Sequence, residues 1–239
     1  MAKLLIKDGL LIDTEWKRHQ DILIEGSKII RIAPDIDAEK IRGPVTVINA
    51  DGLCVLPGLI DAHTHYHLVS RGTVTADSFG EASKLAAFGG VTTVVDFADD
   101  NKKSLLSSFE ARRKEMRPMG IDYALHQGVY SFRGDIKKEL EDVKKKGIGT
   151  IKIFTTYKNV GYLVEKREEL KEIFKACKEL GIMVSIHCED DKIIEETEKR
   201  WKGTYLPKDH PDLRPARAEA EAIKYVGEIA KELDMGLYI

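Results

Sequence analysis

From residue 57 onward, the sequence alternates short apolar strands with segments of helical periodicity. The predicted strands cover residues 59–65, 91–97, 122–127, 150–154, 182–187 and 235–239. The predicted helices lie near residues 78–88, 105–116, 136–146, 165–180, 192–201 and 216–233. Because strands that alternate with helices build right-handed βαβ units, this pattern predicts an α/β fold around a parallel sheet.

Several polar residues of catalytic type stand late in these predicted strands. In (β/α)8 barrels and in doubly wound sheets alike, active sites lie at the carboxyl ends of the strands. No glycine-rich phosphate-binding motif follows the first predicted strand, which argues against a nucleotide-binding Rossmann domain.

The first 56 residues have a different pattern. Short strand-like runs are separated by the turn signals Asp8-Gly9, Gly26-Ser27 and Asp51-Gly52, and no useful stretch of helical periodicity occurs among them. This region is therefore predicted to form a small all-β domain ahead of the α/β region.

Composition excludes several classes of function. A net charge of −2 gives no reason to expect nucleic acid or an acidic membrane as a partner. No apolar run approaches the ~20 residues that a membrane span needs, and the first residues are too polar for a secretory signal. The three cysteines are odd in number and widely spaced, so we expect reduced thiols and a cytoplasmic protein.

His63 and His65 stand two residues apart at the end of the first predicted strand. Alternation along that strand would place Leu59, Asp61 and both histidines on one face. Two imidazoles that converge from one strand supply half of a metal site. Asp61 shares their face and is a candidate to orient one of these ligands.

Lys152 lies in the predicted strand 150–154, where alternation places Ile151 and Ile153 under the helices and turns the lysine inward. An inward lysine is costly unless it is paired or neutralised. One interpretation is an ion pair with a neighbouring carboxylate. The other is a carbamate formed from a neutral amine and carbon dioxide, which could bridge two metal ions about 3.5–4 Å apart.

Four further residues are candidates with open alternatives. His187 ends a predicted strand and is either a metal ligand or a hydrogen-bonded core residue, with the ligand favoured beside the other candidates. His67 is first a loop or substrate contact and second a ligand, while His126 either contacts a metal ligand without binding metal itself or is structural. Asp96 ends the second predicted strand and either supports the site or serves capping and loop packing.

The segment Pro57-Gly58-x-x-Asp61-x-His63-x-His65 resembles the opening motif of the cyclic amidohydrolases, which include dihydropyrimidinase, hydantoinase, allantoinase and dihydroorotase. Further segments resemble the dihydropyrimidinase and hydantoinase branch in particular. They are residues 72–79, 87–97, 152–157 and 214–222.

The resemblance implies a role for each matching position. His63 and His65 would bind one of two divalent metal ions, expected to be Zn²⁺, and His187 would bind the other. Carboxylated Lys152 would bridge the two ions. Tyr157 matches the family tyrosine that hydrogen-bonds the substrate and the developing oxyanion.

The implied reaction is hydrolysis of a cyclic amide or imide, a dihydropyrimidine or a 5-substituted hydantoin, to an N-carbamoyl amino acid. A hydroxide that bridges the metals would attack the carbonyl. The small-molecule substrate would be the main partner, and the family implies a homo-oligomer, commonly a tetramer. The loop 66–72 departs from the more apolar family sequence, which makes Tyr66 and Phe154 candidates for the substrate lid.

A second departure concerns the end of the sequence. The family places another metal-binding histidine on strand six and a catalytic aspartate on strand eight, whereas strand six here has only begun at residue 239. We therefore expect a TIM-type (β/α)8 barrel over residues 57–239 with about six of its eight strands, preceded by residues 1–56 as part of a β-sandwich. We also expect the sequence to belong to a longer protein, and the 239-residue chain alone to be inactive.

Two alternatives to the leading hypothesis remain. One is allantoinase or dihydroorotase activity on the same scaffold. The other is a non-catalytic assembly relative, as the collapsin-response mediator proteins resemble this branch but lack the metal-ligand set. The presence of both His63 and His65 with Lys152 and His187 argues against the second alternative.

Overall fold

The computed structural model of the protein describes residues 2–70 and 72–239. The chain divides into two compact units, one ending at Leu59 and the other beginning at Ile60. None of the helices in the described part is long and apolar enough to cross a membrane.

The first unit is built on a five-stranded sheet, which confirms its predicted all-β character. The strands are β1 (Lys3–Ile12), β2 (Lys17–Glu25), β3 (Lys28–Ala33), β4 (Val45–Asn49) and β5 (Cys54–Val55). Their order is β3-β2-β1-β4, with β5 also paired to β1. The separate strands predicted on either side of Asp8-Gly9 are wrong, because β1 runs through both and absorbs the turn signal as an irregular register between Ile6 and Gly9.

The second unit contains a six-stranded sheet of order β13-β12-β11-β10-β9-β6, and neighbours from β9 to β13 run parallel. Its strands are β6 (Leu59–Asp61), β9 (Val91–Ala98), β10 (Asp122–Gly128), β11 (Thr150–Phe154), β12 (Met183–His187) and β13 (Leu237–Tyr238). A small hairpin of β7 (Val69–Ser70) and β8 (Thr73–Val74) lies outside it.

Helices follow the strands of the sheet, as the alternation predicts. They are α1 (Phe79–Phe88), α2 (Leu105–Glu115), α3 (Ile136–Lys144), α4 (Arg167–Leu180), α5 (Asp191–Arg200), α6 (His210–Leu213) and α7 (Ala216–Glu232). Three single turns of 3-10 helix cover residues 38–40, 158–160 and 207–209. The α/β class and a parallel sheet ordered as in a barrel are confirmed, with six strands present in the described residues.

Most predicted elements agree with the structure to within two residues, but the strand predicted over 59–65 is wrong. It ends at Asp61, and residues 62–65 have no regular structure. The Asp61 carboxylate accepts the backbone N–H of His63 at 3.1 Å. The Thr64 N–H still bonds the Val95 carbonyl of β9 at 3.1 Å, so the chain stays beside the sheet without forming a regular strand. A short-range side-chain bond thus competes with the ladder, as aspartate commonly does.

The core of the second unit lies between the sheet and its helices. On β11, Ile151 and Ile153 are fully buried, and on β12 the paired residues Val184 and Ile186 are buried as well. The apolar stripes of α3, α4 and α7 belong to the same cluster. Every second residue of these strands therefore packs in the core, and the residues between them lie on the other face of the sheet.

Candidate metal centre and substrate cavity

The rings of His63 and His65 lie side by side, with centroids 5.2 Å apart. Both pack on the buried ring of Phe97 from β9, at 4.7 and 4.5 Å, while their outer sides face solvent. Partial burial is the main cause that lowers the pKa of both histidines, and for His63 the adjacent His65 adds to the effect. A lowered pKa favours the neutral imidazole, which is the form that binds metal.

Asp96 holds the segment that carries these histidines. Its fully buried carboxylate accepts the Thr64 hydroxyl at 3.0 Å and the Tyr66 backbone N–H at 2.9 Å. Arg112 of α2 donates to the other Asp96 oxygen at 2.6 and 3.1 Å and to the Tyr66 carbonyl at 2.6 Å. The buried Asp96–Arg112 ion pair therefore holds this segment through the Thr64 side chain and the Tyr66 backbone.

Asp61 and His126 make their contacts to the backbone of the same segment. Asp61 is exposed and bonds the His63 N–H, not its ring. His126 contacts the Thr150 hydroxyl through Nδ1 and the Ala62 carbonyl through Nε2, the latter at 2.8 Å. His67, with a positive φ of 46°, lies in the turn that follows and packs its ring near Phe79.

Lys152 stands on β11 between the buried Ile151 and Ile153, on the face opposite the helices. Among the described residues no carboxylate pairs with its amine, and the nearest aromatic contact is the Phe154 ring, 5.2 Å from Nζ. Burial lowers the pKa of the lysine, and its charge acts in turn on His63 and His65. The ion pair that one interpretation required for Lys152 is therefore not found in the described part of the chain.

His187 ends β12 on the same face of the sheet as Lys152. The two side chains line one cavity of about 230 Å³ together with Cys188 and Arg214. His187 Nε2 lies 2.6 Å from the Glu189 carboxylate, and the same carboxylate oxygen accepts Arg214 Nη1 at 2.6 Å. Burial raises the Glu189 pKa, but the hydrogen bonds from His187 and Arg214 outweigh it, and the net pKa is lowered.

Tyr157 follows β11 in the left-handed conformation, with φ of 68°. Its ring stacks on His187 at 5.3 Å, and the Arg214 guanidinium lies 4.6 Å from the ring centroid. A non-glycine residue in this region of φ is uncommon and needs support from its surroundings. Here the stacking and the cation–π contact supply that support and fix the phenol above His187.

A second cavity of about 410 Å³ adjoins these residues, with His65, Tyr157 and Phe154 among its lining. Its other lining residues are Leu68, Ser70, Asp99, Tyr130, Val160 and Tyr162. Tyr66, the other candidate lid residue, is half-buried and packs against the main core. The structure therefore brings His65, Lys152, His187 and Tyr157 to the same end of the sheet.

Some residues at this site were missed by sequence reasoning. Glu189 stands two residues beyond His187, and a carboxylate that close to a candidate ligand was an available signal. Arg112 and Asp99 offered no local signal, because their contacts join residues 16 and 31 positions apart. Histidine, cysteine and carboxylate side chains alone form no metal-holding group of three or more in the described residues.

Comparison with known proteins decides the family. The sequence profile of the Amidohydrolase family matches residues 54–230, well over half of the chain. The chain belongs to the amidohydrolase family. It is 33% identical to the D-hydantoinase of Geobacillus stearothermophilus, covering 98% of this chain and 50% of that protein. It is 31% identical to dihydropyrimidinase-related protein 5 of Homo sapiens, over 100% of this chain and 42% of that protein.

The fold of this chain is also similar to that of solved structures. The crystal structure of dihydropyrimidinase from Brevibacillus agri superimposes with a TM-score of 0.90 at 34% identity, over 99% of this chain and 51% of that one. The resemblance to the dihydropyrimidinase and hydantoinase branch is thereby confirmed. The chain spans about half the length of the curated relatives it matches.

Proposed function

We propose that this amidohydrolase acts on cyclic amides, hydrolysing a dihydropyrimidine or a 5-substituted hydantoin to an N-carbamoyl amino acid. The similarity to proteins named dihydropyrimidinase and D-hydantoinase supports this substrate class. The scissile bond is the ring C–N bond, and one water molecule is consumed in opening it.

The observation that carries the proposal is the environment of Lys152. Its half-buried amine has a lowered pKa and no carboxylate partner among the described residues. It shares a cavity with His187, and its charge acts on His63. An amine held neutral can add carbon dioxide to form a carbamate, with loss of one proton. The two carbamate oxygens would then complete the donor set that the histidines begin.

The residues present fit a pair of divalent ions, and Zn²⁺ is the natural candidate for imidazole and oxygen ligands. His63 and His65 would hold one ion, His187 the other, and carboxylated Lys152 both. Glu189 engages His187 Nε2 and leaves Nδ1 as the free donor nitrogen. Such ions would lower the pKa of a water molecule and polarise the substrate carbonyl.

The chain's own groups would orient the substrate. Tyr157 lies beside His187 with its ring fixed by Arg214, so its hydroxyl is a preorganised donor for the oxygen that becomes negative. Phe154 would pack against the substrate ring, since it lines the same cavity as Tyr157. Tyr66, whose backbone is tied to Asp96 and Arg112, would border the lid.

The test uses the protein as the cell produces it, isolated with its own metal. Turnover of dihydrouracil, hydantoin, allantoin and dihydroorotate is measured beside metal content by mass spectrometry. We expect dihydrouracil or hydantoin to be opened and about two ions per chain to be found. Turnover of allantoin or dihydroorotate alone would favour the neighbouring activities, and a metal-free, inactive protein would favour a non-catalytic relative.

A matched pair of lysine variants makes the test specific. Lys152→Ala should abolish turnover, whereas Lys138→Ala, which removes an exposed lysine of α3, should not. Growth with ¹³C-bicarbonate should give a carbamate carbon signal in the parent and in Lys138→Ala. The same signal in Lys152→Ala would show that the carbamate lies elsewhere.

Several finer expectations stay predictions. They are the identity of the metal as zinc, the homotetramer, the cytoplasmic location and the inactivity of the 239-residue chain alone. Elemental analysis, light scattering, cell fractionation and turnover by the recombinant 239-residue chain test them in that order.

A further inference from the structure

The cavity of about 410 Å³ beside His65 and Tyr157 has an uneven chemistry. Its walls are mostly aromatic and aliphatic, and Asp99 is the one carboxylate among its lining residues. Among the described residues, no lysine or arginine side chain lines it. A single acidic group in an otherwise apolar cavity needs a reason, because burial raises the pKa of Asp99 and thus opposes its charge.

The fold holds Asp99 in place through Tyr130. The buried Tyr130 hydroxyl donates to Asp99 Oδ1, and no hydrogen bond of the described residues reaches Oδ2. The Tyr130 ring lies directly over Gly128, where an added Cβ would come within 2.6 Å of Cζ. Glycine at this position therefore lets the ring approach β10. Asp99, which lines the cavity, keeps Oδ2 without a hydrogen bond among the described residues.

A described cation that acts on Asp99 is already engaged elsewhere. Arg112 acts on the charge of Asp99, but its guanidinium donates to Asp96 and to the Tyr66 carbonyl. Asp99 therefore has no direct ion pair among the described residues.

The aromatic walls add a second preference. Tyr130 and Tyr162 have ring centroids 4.2 Å apart, and Phe154 packs on both at 5.3 and 5.6 Å. Tyr157 continues this cluster at 5.7 Å from Phe154. Aromatic faces grouped around a carboxylate form a site that attracts organic cations through both cation–π and ionic contacts.

We propose that Asp99 makes this cavity selective for cyclic amides whose ring substituent ends in an ammonium or guanidinium group. The inference rests on the proposed function, since it assigns the substituent that enters beside the reacting ring. The cation would donate to Asp99 Oδ2 while its carbon chain packs along the aromatic walls. An uncharged substituent of equal length would leave Asp99 without a partner.

The test compares 5-(4-aminobutyl)hydantoin with 5-pentylhydantoin, which replaces the ammonium by a methyl group. The protein as isolated from cells should show a kcat/KM about tenfold higher for the amino compound. In Asp99→Asn that ratio should fall to about one. Asp122→Asn, which removes an exposed carboxylate at the opposite end of β10, should keep the parent ratio.

A further variant separates charge from structural support. Tyr130→Phe removes the hydroxyl that holds Asp99 but keeps the carboxylate, so a severalfold preference for the amino compound should remain. A parent ratio of one or less, or a parent-like ratio in Asp99→Asn, would overturn the inference. If Asp99→Asn does not fold, the parent ratio together with the Tyr130→Phe ratio decides it.

Failure of the proposed function gives a different result. In that case unsubstituted hydantoin and both substituted compounds would all resist hydrolysis. Calorimetric binding of the two substituted compounds to the metal-loaded parent then decides the selectivity by itself. About tenfold tighter binding of the amino compound would support it, and equal binding would overturn it.

Discussion

The two halves of the candidate metal centre are held in place by different means. Lys152 and His187 project from regular, paired strands, and their direction follows from the burial of their neighbours Ile153 and Ile186. His63 and His65 lie beyond the end of β6 and depend on a buried ion pair. The strand half is positioned by apolar packing, whereas the irregular half is positioned by a polar network.

The difference matters because the two means respond differently to substitution. Apolar packing is spread over many contacts, so that loss of one polar side chain on the open face leaves the strands intact. A polar network concentrates its effect in few groups, and removal of one partner leaves the other buried without compensation.

The largest effect is expected from Arg112→Met. Asp96 is fully buried and would lose its only salt-bridge partner among the described residues. Breaking such a pair costs about 3–5 kcal/mol in the free energy of unfolding. Urea denaturation measures this loss, and metal content should fall with it because His63 and His65 lose their support.

An exposed ion pair provides the control for this variant. Lys137 and Glu179 pair at 2.5 Å on the surface, with more than half of each side chain exposed. Lys137→Met should change the unfolding free energy by no more than about 1 kcal/mol. Equal losses in Arg112→Met and Lys137→Met would mean that the buried pair does not support the histidine segment.

Lys152→Met should give the opposite combination of effects. Metal bound per chain should fall from two ions to one or none, because the bridging group is gone. Stability of the metal-free protein should stay the same or rise, since a half-buried amine that pairs with no carboxylate of the described residues is replaced by an apolar chain. Elemental analysis and thermal unfolding of the metal-free protein measure the two quantities.

Retention of both metal ions in Lys152→Met would show that this lysine does not bind the metals. A clear loss of stability without metal would instead point to a structural partner for the amine. Lys138→Met on the exposed face of α3 controls for the general loss of a positive charge.

A smaller effect is expected from Glu189→Ala. Glu189 is predicted to fix the proton of His187 on Nε2 and so to present Nδ1 to the metal. Loss of such an outer hydrogen bond weakens metal binding by about ten- to a hundredfold. Chelator competition measures the affinity, and ¹⁵N chemical shifts of His187 in the metal-free protein report the tautomer.

Conservative replacement sharpens this result. Glu189→Gln keeps an acceptor oxygen and should lie between the parent and Glu189→Ala in metal affinity. An unchanged His187 tautomer in Glu189→Ala would show that Glu189 only packs beside the histidine. Glu196→Gln on the exposed face of α5 is the matched control.

The contrast between the two halves also explains what the sequence could predict. Period-two burial identifies the faces of β11 and β12, so Lys152 and His187 could be placed from their immediate neighbours. The extension of the first strand through His65 was wrong, because the Asp61 carboxylate binds the His63 backbone N–H and the Asp96 carboxylate holds the Thr64 hydroxyl and the Tyr66 N–H. Such contacts depend on the tertiary fold, which local periodicity does not describe.

Asp96 and Arg112 show the same limit. Asp96 could be named as a supporting residue from its place at the end of a strand. Its partner could not, because Arg112 lies on the following helix and looks like any other basic residue near a helix end. The contact of the Arg214 guanidinium with the Tyr157 ring could not be predicted either, because the two residues are far apart in the sequence. This holds although both segments carry family motifs.

The smallest effect is a pH dependence that we expect from the histidine segment. Partial burial lowers the pKa of His63 and His65 below 6.5 in the folded protein. The unfolded chain therefore takes up protons first as the pH falls. Stability of the metal-free protein should be fully present above pH 6.5 and should decline as the pH drops toward the folded pKa values.

The measurement is urea unfolding of chelator-treated protein at several pH values at and below 6.5. His65→Gln should reduce the decline, because one of the two groups with a lowered pKa is removed, even though loss of stacking on Phe97 lowers stability at every pH. Parallel curves for the parent and His65→Gln would show that the pH dependence arises elsewhere.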